Sequence, residues 1–181
     1  AVILFLILMS VLSWNQCRHW KNSVKLFSHA LRVTENNTMM HNLLGYSLFE
    51  KGKIDRAIYH YNKAILIAPD YVYAYINRAE AYARQGKYQS AADDYNKAVA
   101  LGPDFADVYF KRGTFYGKSG QNQLAIADFS KIIRLKPHYV DAYNNRGIAL
   151  NQTGQYKQAI DDFNKAIRLK PAYANAWNNR A

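Results

Sequence analysis

Residues 140–173 read VDAYNNRGIALNQTGQYKQAIDDFNKAIRLKPAY, and residues 72–105 read VYAYINRAEAYARQGKYQSAADDYNKAVALGPDF. The two stretches are each 34 residues long and align without a gap, and the same register continues through residues 38–71 and 106–139. A fixed period of this length is typical of chains built from one repeated supersecondary unit. The sequence therefore predicts a repeat architecture.

Each unit carries a glycine, an alanine, a ring and a proline at fixed positions. The four columns are Gly52, Gly86, Gly120 and Gly154; Ala57, Ala91, Ala125 and Ala159; Tyr61, Tyr95, Phe129 and Phe163; and Pro69, Pro103, Pro137 and Pro171. The glycines predict a tight left-handed turn between two helices, the alanines allow close helix approach, and the prolines end the second helix. Such a helical hairpin buries its apolar face only by stacking on its neighbours.

A further column places a ring near the start of each unit, with a small residue four positions later. The ring positions hold His41, Tyr75, Tyr109, Tyr143 and Trp177, and the small residues are Gly45, Ala79, Gly113, Gly147 and Ala181. Together these columns resemble the tetratricopeptide repeat in four complete units, 38–71, 72–105, 106–139 and 140–173, and in the start of a fifth, 174–181. The resemblance implies an all-α, right-handed superhelix of helix-turn-helix repeats that serves as a protein-interaction scaffold.

The first residues of the chain have a different character. Ala1–Leu12 is apolar apart from Ser10 and is followed by aromatic and basic residues such as Trp14 and Lys21. A spanning helix needs about 20 apolar residues, so we interpret residues 1–13 as the end of a membrane helix that begins upstream. A signal-peptide core and a buried helix are the alternatives. This interpretation makes the chain a part of a longer, membrane-associated protein, with the side of the membrane left open.

Residues 14–37 carry the spacing of a second helix without its proline. Trp20, Phe27 and Ala30 lie 34 residues before Ile54, Tyr61 and Ala64. This half-repeat, together with the apolar segment before it, resembles the carboxy-terminal part of multi-spanning membrane proteins related to protein O-mannosyltransferases. The resemblance implies an alternative function, the recruitment of acceptors to a membrane glycosyltransferase whose catalytic domain lies upstream.

The sequence carries no recognisable catalytic or cofactor motif. The adjacent carboxylates Asp93 and Asp94 point about 100° apart on a helix, as do Asp161 and Asp162, and so cannot share a proton. The five histidines show no metal-ligand spacing on one helical face. A phosphate loop and a dinucleotide fingerprint are also absent from the sequence. We therefore predict that this chain is not an enzyme and uses no cofactor and no metal.

The charge of the chain is strongly basic but unevenly distributed. Lysine and arginine outnumber aspartate and glutamate 24 to 13, which gives a net charge of +11. The excess forms no continuous stripe along the repeats, so nucleic acid is not the predicted partner. Acidic peptide segments or anionic lipid headgroups suit the charge at least as well.

In addition to the repeat signature, two columns of charged residues recur at the repeat period. The arginines are Arg78, Arg112, Arg146 and Arg180, and the carboxylates are Asp94, Asp128 and Asp162. Matching columns of opposite charge predict structural ion pairs, because arginine binds a carboxylate through two parallel hydrogen bonds. The alternative is that the arginines bind an acidic ligand.

A third polar column holds Asn77, Asn145 and Asn179 and is interrupted by Lys111. In tetratricopeptide repeats the first helices line a concave face, and in some relatives an asparagine in this slot hydrogen-bonds the backbone of an extended peptide. An amide suits this role because it offers both a donor and an acceptor. The alternative is that these asparagines are merely tolerated on a solvated face. The predicted peptide-binding groove consists of Asn42, Tyr46, Tyr73, Asn77, Glu80, Lys111, Asn144, Asn145, Ile148, Asn178 and Asn179.

Overall fold

The computed structural model describes residues 23–33 and 37–180, and within them it contains ten α-helices and no strand. In chain order they are α1 (Ser23–Val33), α2 (Thr38–Glu50), α3 (Ile54–Ile67), α4 (Val72–Arg84), α5 (Tyr88–Leu101), α6 (Ala106–Lys118), α7 (Asn122–Leu135), α8 (Val140–Gln152), α9 (Tyr156–Leu169) and α10 (Ala174–Arg180). The predicted all-α class with tandem helix-turn-helix units is confirmed.

The chain divides into two compact units, one ending at Asp94 and the other beginning at Tyr95. In the first unit α2 packs against α1, α3 and α4. In the second unit α8 packs against α6, α7, α9 and α10. Within each unit, therefore, a first helix contacts both its own second helix and the first helix of a neighbouring repeat.

The turns between paired helices have the conformation that the glycine column predicts. Gly52, Gly86, Gly120 and Gly154 all have a positive φ, between 72° and 76°. This left-handed region costs little only for glycine, because a side chain there meets the following carbonyl. The prediction for this column is confirmed.

The small-residue column sets how closely two paired helices approach. A Cβ atom added at Gly147 would lie 2.6 Å from a ring carbon of Phe163, and one at Gly45 would lie 2.5 Å from the ring of Tyr61. These rings are fully buried or nearly so. The glycines thus provide the space that the ring column fills, as close-packed interiors require.

Of the predicted half-repeat, residues 14–37, the structure describes the part that contains α1. Phe27 and Leu31 of this helix pack on the core of the first unit beside Leu48 and Tyr61. Trp20 and the predicted membrane segment, residues 1–13, lie outside the described residues. Within residues 23–33 and 37–180, no helix is both long and apolar enough to span a bilayer.

Candidate functional site

Buried ion pairs join the two helices of three repeats. Arg146 donates from Nε to Asp162 Oδ2 at 2.7 Å and from Nη2 to Oδ1 at 2.7 Å. The third nitrogen, Nη1, donates to Ser130 Oγ at 3.0 Å. Hydrogen bonds and the charge of Asp162 raise the pKa of Arg146 against the opposing effect of burial.

The other two repeats form the same bidentate arrangement, between Arg78 and Asp94 and between Arg112 and Asp128. Each carboxylate side chain is less than a tenth exposed. The predicted structural ion pairs are therefore confirmed for Arg78, Arg112 and Arg146, whose guanidinium groups are already occupied by protein carboxylates.

The ring column ties each repeat to the end of the preceding one. Tyr75 donates its hydroxyl hydrogen to the carbonyl of Pro69 at 3.0 Å, and Tyr143 donates to Pro137 at 3.2 Å. Trp177 makes the equivalent bond from Nε1 to Pro171 at 2.9 Å. Sequence analysis identified both columns but missed their connection, which the constant separation of six residues could have indicated.

The first repeat departs from this scheme at two positions. His60 occupies the slot of the buried carboxylates, and His41 occupies the slot of the ring. Their Nδ1 atoms lie 3.0 Å apart, and the two rings stack with centroids 5.3 Å apart. One imidazole therefore donates a hydrogen bond to the other, which requires that at least one of them is neutral.

The surroundings of this pair favour the neutral form. Burial lowers the pKa of His60 to about 4, and the charges of His41 and Arg56 act in the same direction. Burial also lowers the pKa of His41, with Lys63 adding to the effect. Sequence analysis missed the pair because it compared histidines on single helices, whereas these two come from α2 and α3. Across the described part of the chain, no group of three or more His, Cys, Asp or Glu side chains could hold a metal ion.

The predicted groove asparagines are linked in pairs between successive repeats. Asn77 Nδ2 donates to Asn42 Oδ1 at 2.9 Å, and Asn179 Nδ2 donates to Asn144 Oδ1 at 2.9 Å. Asn144 in turn donates to Asn145 Oδ1 at 3.3 Å. The acceptor residues Asn42 and Asn144 are only 6% and 3% exposed. They therefore orient Asn77 and Asn179 by accepting hydrogen bonds, and they offer almost no surface of their own to a ligand.

The remaining predicted groove residues all belong to first helices, and within each unit we call this set the first-helix face. On α4 this face is marked by Tyr73, Asn77 and Glu80, spaced by four and three residues as a helical face requires. Tyr46 and Tyr73 are each about half exposed. The first-helix face consists of Tyr46, Tyr73, Asn77 and Glu80 in the first unit and of Lys111, Asn145, Ile148, Asn178 and Asn179 in the second.

The described part of the second unit also contains a pocket of about 310 Å³ on this face. The pocket lies between α6 and α8 and includes Asn145 and Ile148, both predicted groove residues, together with Phe129 from α7. Sequence analysis did not predict this pocket.

Comparisons with known proteins agree on the repeats. Models of the tetratricopeptide repeat match residues 45–86 and 81–120, 106–139 and 140–173. A search of curated proteins gives no match. The resemblance of the amino-terminal flank to O-mannosyltransferase-related proteins finds no support in these comparisons.

Solved structures with a similar fold include two MamA proteins and one further repeat protein. A crystal structure of MamA is 27% identical with a TM-score of 0.73, over 83% of this chain and 88% of that one. MamA from Desulfovibrio magneticus is 20% identical with a TM-score of 0.73, over 92% and 95% of the two chains. A tetratricopeptide repeat protein from Parabacteroides merdae is 24% identical with a TM-score of 0.75, over 87% and 62%.

Proposed function

Because the chain belongs to the tetratricopeptide-repeat family, we propose that it is a protein-interaction scaffold whose first-helix face binds an extended peptide segment of a partner protein. The observation that carries this proposal is the pairing of side-chain amides along that face, Asn77 with Asn42 and Asn179 with Asn144.

The amide pairs fix the side-chain orientation of the two donor asparagines, Asn77 and Asn179, before a ligand binds. Asn42 is buried and accepts the amide hydrogen bond of Asn77 at 2.9 Å. Its partner Asn77 uses one N–H of its amide for the pair, so a second N–H and the Oδ1 acceptor are left for a peptide group. A side chain that is already oriented loses less entropy when a ligand binds, which favours affinity.

The neighbouring side chains suit a peptide with varied residues. Tyr46 and Tyr73 present half-exposed rings, which supply contact area with few rotatable bonds. Because the amides recognise the peptide backbone and the rings accept many side chains, the resulting binding tolerates differences in peptide sequence.

Binding of a random peptide library tests the proposal. Replacing Asn77, Asn145 and Asn179 together with alanine should weaken binding by about 1.5–4.5 kcal/mol, since each net hydrogen bond contributes about 0.5–1.5 kcal/mol. Gln123→Ala on α7 is the matched control, because this exposed side-chain amide lies on a second helix and therefore outside the first-helix face. Circular dichroism at 222 nm checks the fold, and Asn145→Ala alone is the variant of choice if the triple variant unfolds. Unchanged binding with intact helices would refute the proposal.

The charge of the second unit extends the proposal to acidic peptides. Lys111 is exposed in the column that asparagines otherwise occupy. Lys111→Ala should reduce affinity chiefly for acidic peptides and chiefly at low salt, since exposed charges are screened beyond about 10 Å at 0.1 M salt. Equal losses for acidic and neutral peptides would contradict an electrostatic role.

Attachment to a membrane through residues 1–13 is a further part of the proposal, supported by the apolar character of Ala1–Leu12. Resistance of the natural protein to carbonate extraction would test it. The alternative, a region that recruits acceptors to a membrane glycosyltransferase, rests only on the sequence resemblance that includes residues 14–37. Sequence upstream of Ala1 would test that alternative.

A further inference from the structure

The pocket between α6 and α8 has mainly apolar walls. It is lined by Ile148 and Ala149 of α8, by Phe129 of α7, and by Gly113 and Gly117 of α6. At about 310 Å³ the pocket is at the small end of ligand sites, which range over roughly 300–1,000 Å³. It therefore suits one or two side chains better than a whole helix or a large cofactor.

Gly117 borders the pocket, although the packing around it does not require a glycine at this position. A Cβ atom added there would have its nearest neighbour, the Cβ of Ala125, at 3.9 Å, which is an ordinary contact. At Gly113, in contrast, a Cβ would lie 3.1 Å from the Cβ of Asp128. Glycine is the poorest helix former after proline, so Gly117 weakens α6 with no gain in packing. Because Gly117 has no side chain, this position leaves the volume of the pocket open.

The charges around the pocket favour an acidic ligand. Lys118 lines the pocket, and Lys111 lies two helical turns earlier on α6. No acidic side chain lines the pocket, and Asp128 behind it is held by Arg112.

We propose that this pocket takes a leucine-sized branched side chain of an extended acidic peptide, with Asn145 at its rim oriented towards the peptide backbone. The inference rests on the proposed function and adds to it the type of residue that the partner presents. The apolar walls supply affinity for the branched side chain, and the lysines select acidic residues beside it.

Titration of the full chain with short defined peptides tests the proposal, with amide signals of Gly113 and Gly117 followed by NMR. The probes have the sequences GDDLEEG, GDDAEEG and GNNLQQG, each with blocked ends. The leucine peptide should bind about tenfold more tightly than the alanine peptide, since burying most of the extra side chain yields about one factor of ten. Neutralising its acids should weaken binding several-fold at low salt.

Two variants with matched controls link the effect to the pocket. Ile148→Ala should reduce the preference for leucine to about threefold, whereas Ile160→Ala, an exposed isoleucine on α9, should leave it unchanged. Lys118→Gln should reduce the preference for acidic residues, whereas Lys157→Gln, exposed on α9, should not.

Equal binding of the leucine and alanine peptides, or shifts confined to the second helices, would overturn the proposal. The proposal would also be overturned if none of the three peptides, at about 5 mM, shifted the amide signal of Gly117. A shift of that signal that depends only on protein concentration would overturn it too, because it would assign the pocket to a second copy of this chain. Library peptides that still bind and still depend on the three asparagines would then leave the proposed function standing.

Discussion

Removal of the arginine from a buried ion pair should unfold the repeat around it. Arg146→Met keeps an apolar stem of similar length but deprives Asp162 of two hydrogen bonds at 2.7 Å, while the carboxylate side chain is only 8% exposed. Breaking a buried pair from one side costs about 3–5 kcal/mol. Because Arg146 itself is 23% exposed, some water reaches the site, and we expect about 3 kcal/mol.

The matched control lies in the same column. Arg180 donates an exposed hydrogen bond to Asn164 at 3.1 Å, and within the described residues no bond from Arg180 to a carboxylate is found. Arg180→Met should therefore change stability by less than about 0.5 kcal/mol. The double variant Arg146→Met with Asp162→Leu should recover most of the loss, because apolar replacement of both partners of a buried pair is often neutral.

Urea unfolding followed by circular dichroism measures these differences, and hydrogen exchange of α8 and α9 shows whether the opening is local, as repeat chains allow. A loss below about 1 kcal/mol for Arg146→Met would refute the reasoning. A double variant as unstable as the single one would refute it as well.

Three further perturbations test other parts of the structure. The pKa of His60 is about 4 in the folded chain and about 6.5 when exposed, so stability should be full above about pH 6.5 and fall by about 1–2 kcal/mol towards pH 4 after allowance for solvent screening. His60→Gln should reduce this slope in urea midpoints measured across that range, and the remaining slope belongs to His41, whose pKa burial also lowers. Tyr143→Phe removes the bond to the Pro137 carbonyl and should cost about 0.5–1.5 kcal/mol by urea unfolding, and an unchanged midpoint would contradict a role in joining repeats. Gly154→Ala places a side chain at a φ of 76° and should cost about 1–2 kcal/mol, whereas Gly117→Ala should be neutral or stabilising; equal thermal midpoints for the two would be the contrary result.

The repeat organisation and its turns could be read from the sequence because each depends on few residues close together in the chain. A positive φ at Gly154 follows from a glycine between two helical patterns. The pair Arg146–Asp162 was also predictable, since its members are 16 residues apart in the two helices of one hairpin. Helical spacing alone then brings them face to face.

Contacts that depend on how a helix of the next repeat packs could not be predicted from the sequence. Asn42 was predicted as a groove residue, but it is 6% exposed because α4 lies alongside α2 and places Asn77 over it. The pair His41–His60 lies within one hairpin and was missed for a different reason: both histidines depart from the repeat pattern, so no column of the sequence indicates that they face each other.

By itself, therefore, the sequence determined the helical period, the turns and the pairing within a hairpin. Only the tertiary structure decided which polar side chains of the first helices remain exposed and where a pocket opens between α6 and α8. The physical reason is that burial depends on the distance between helices of different repeats. The sizes of side chains on both of them set that distance, and no single column of the sequence records it.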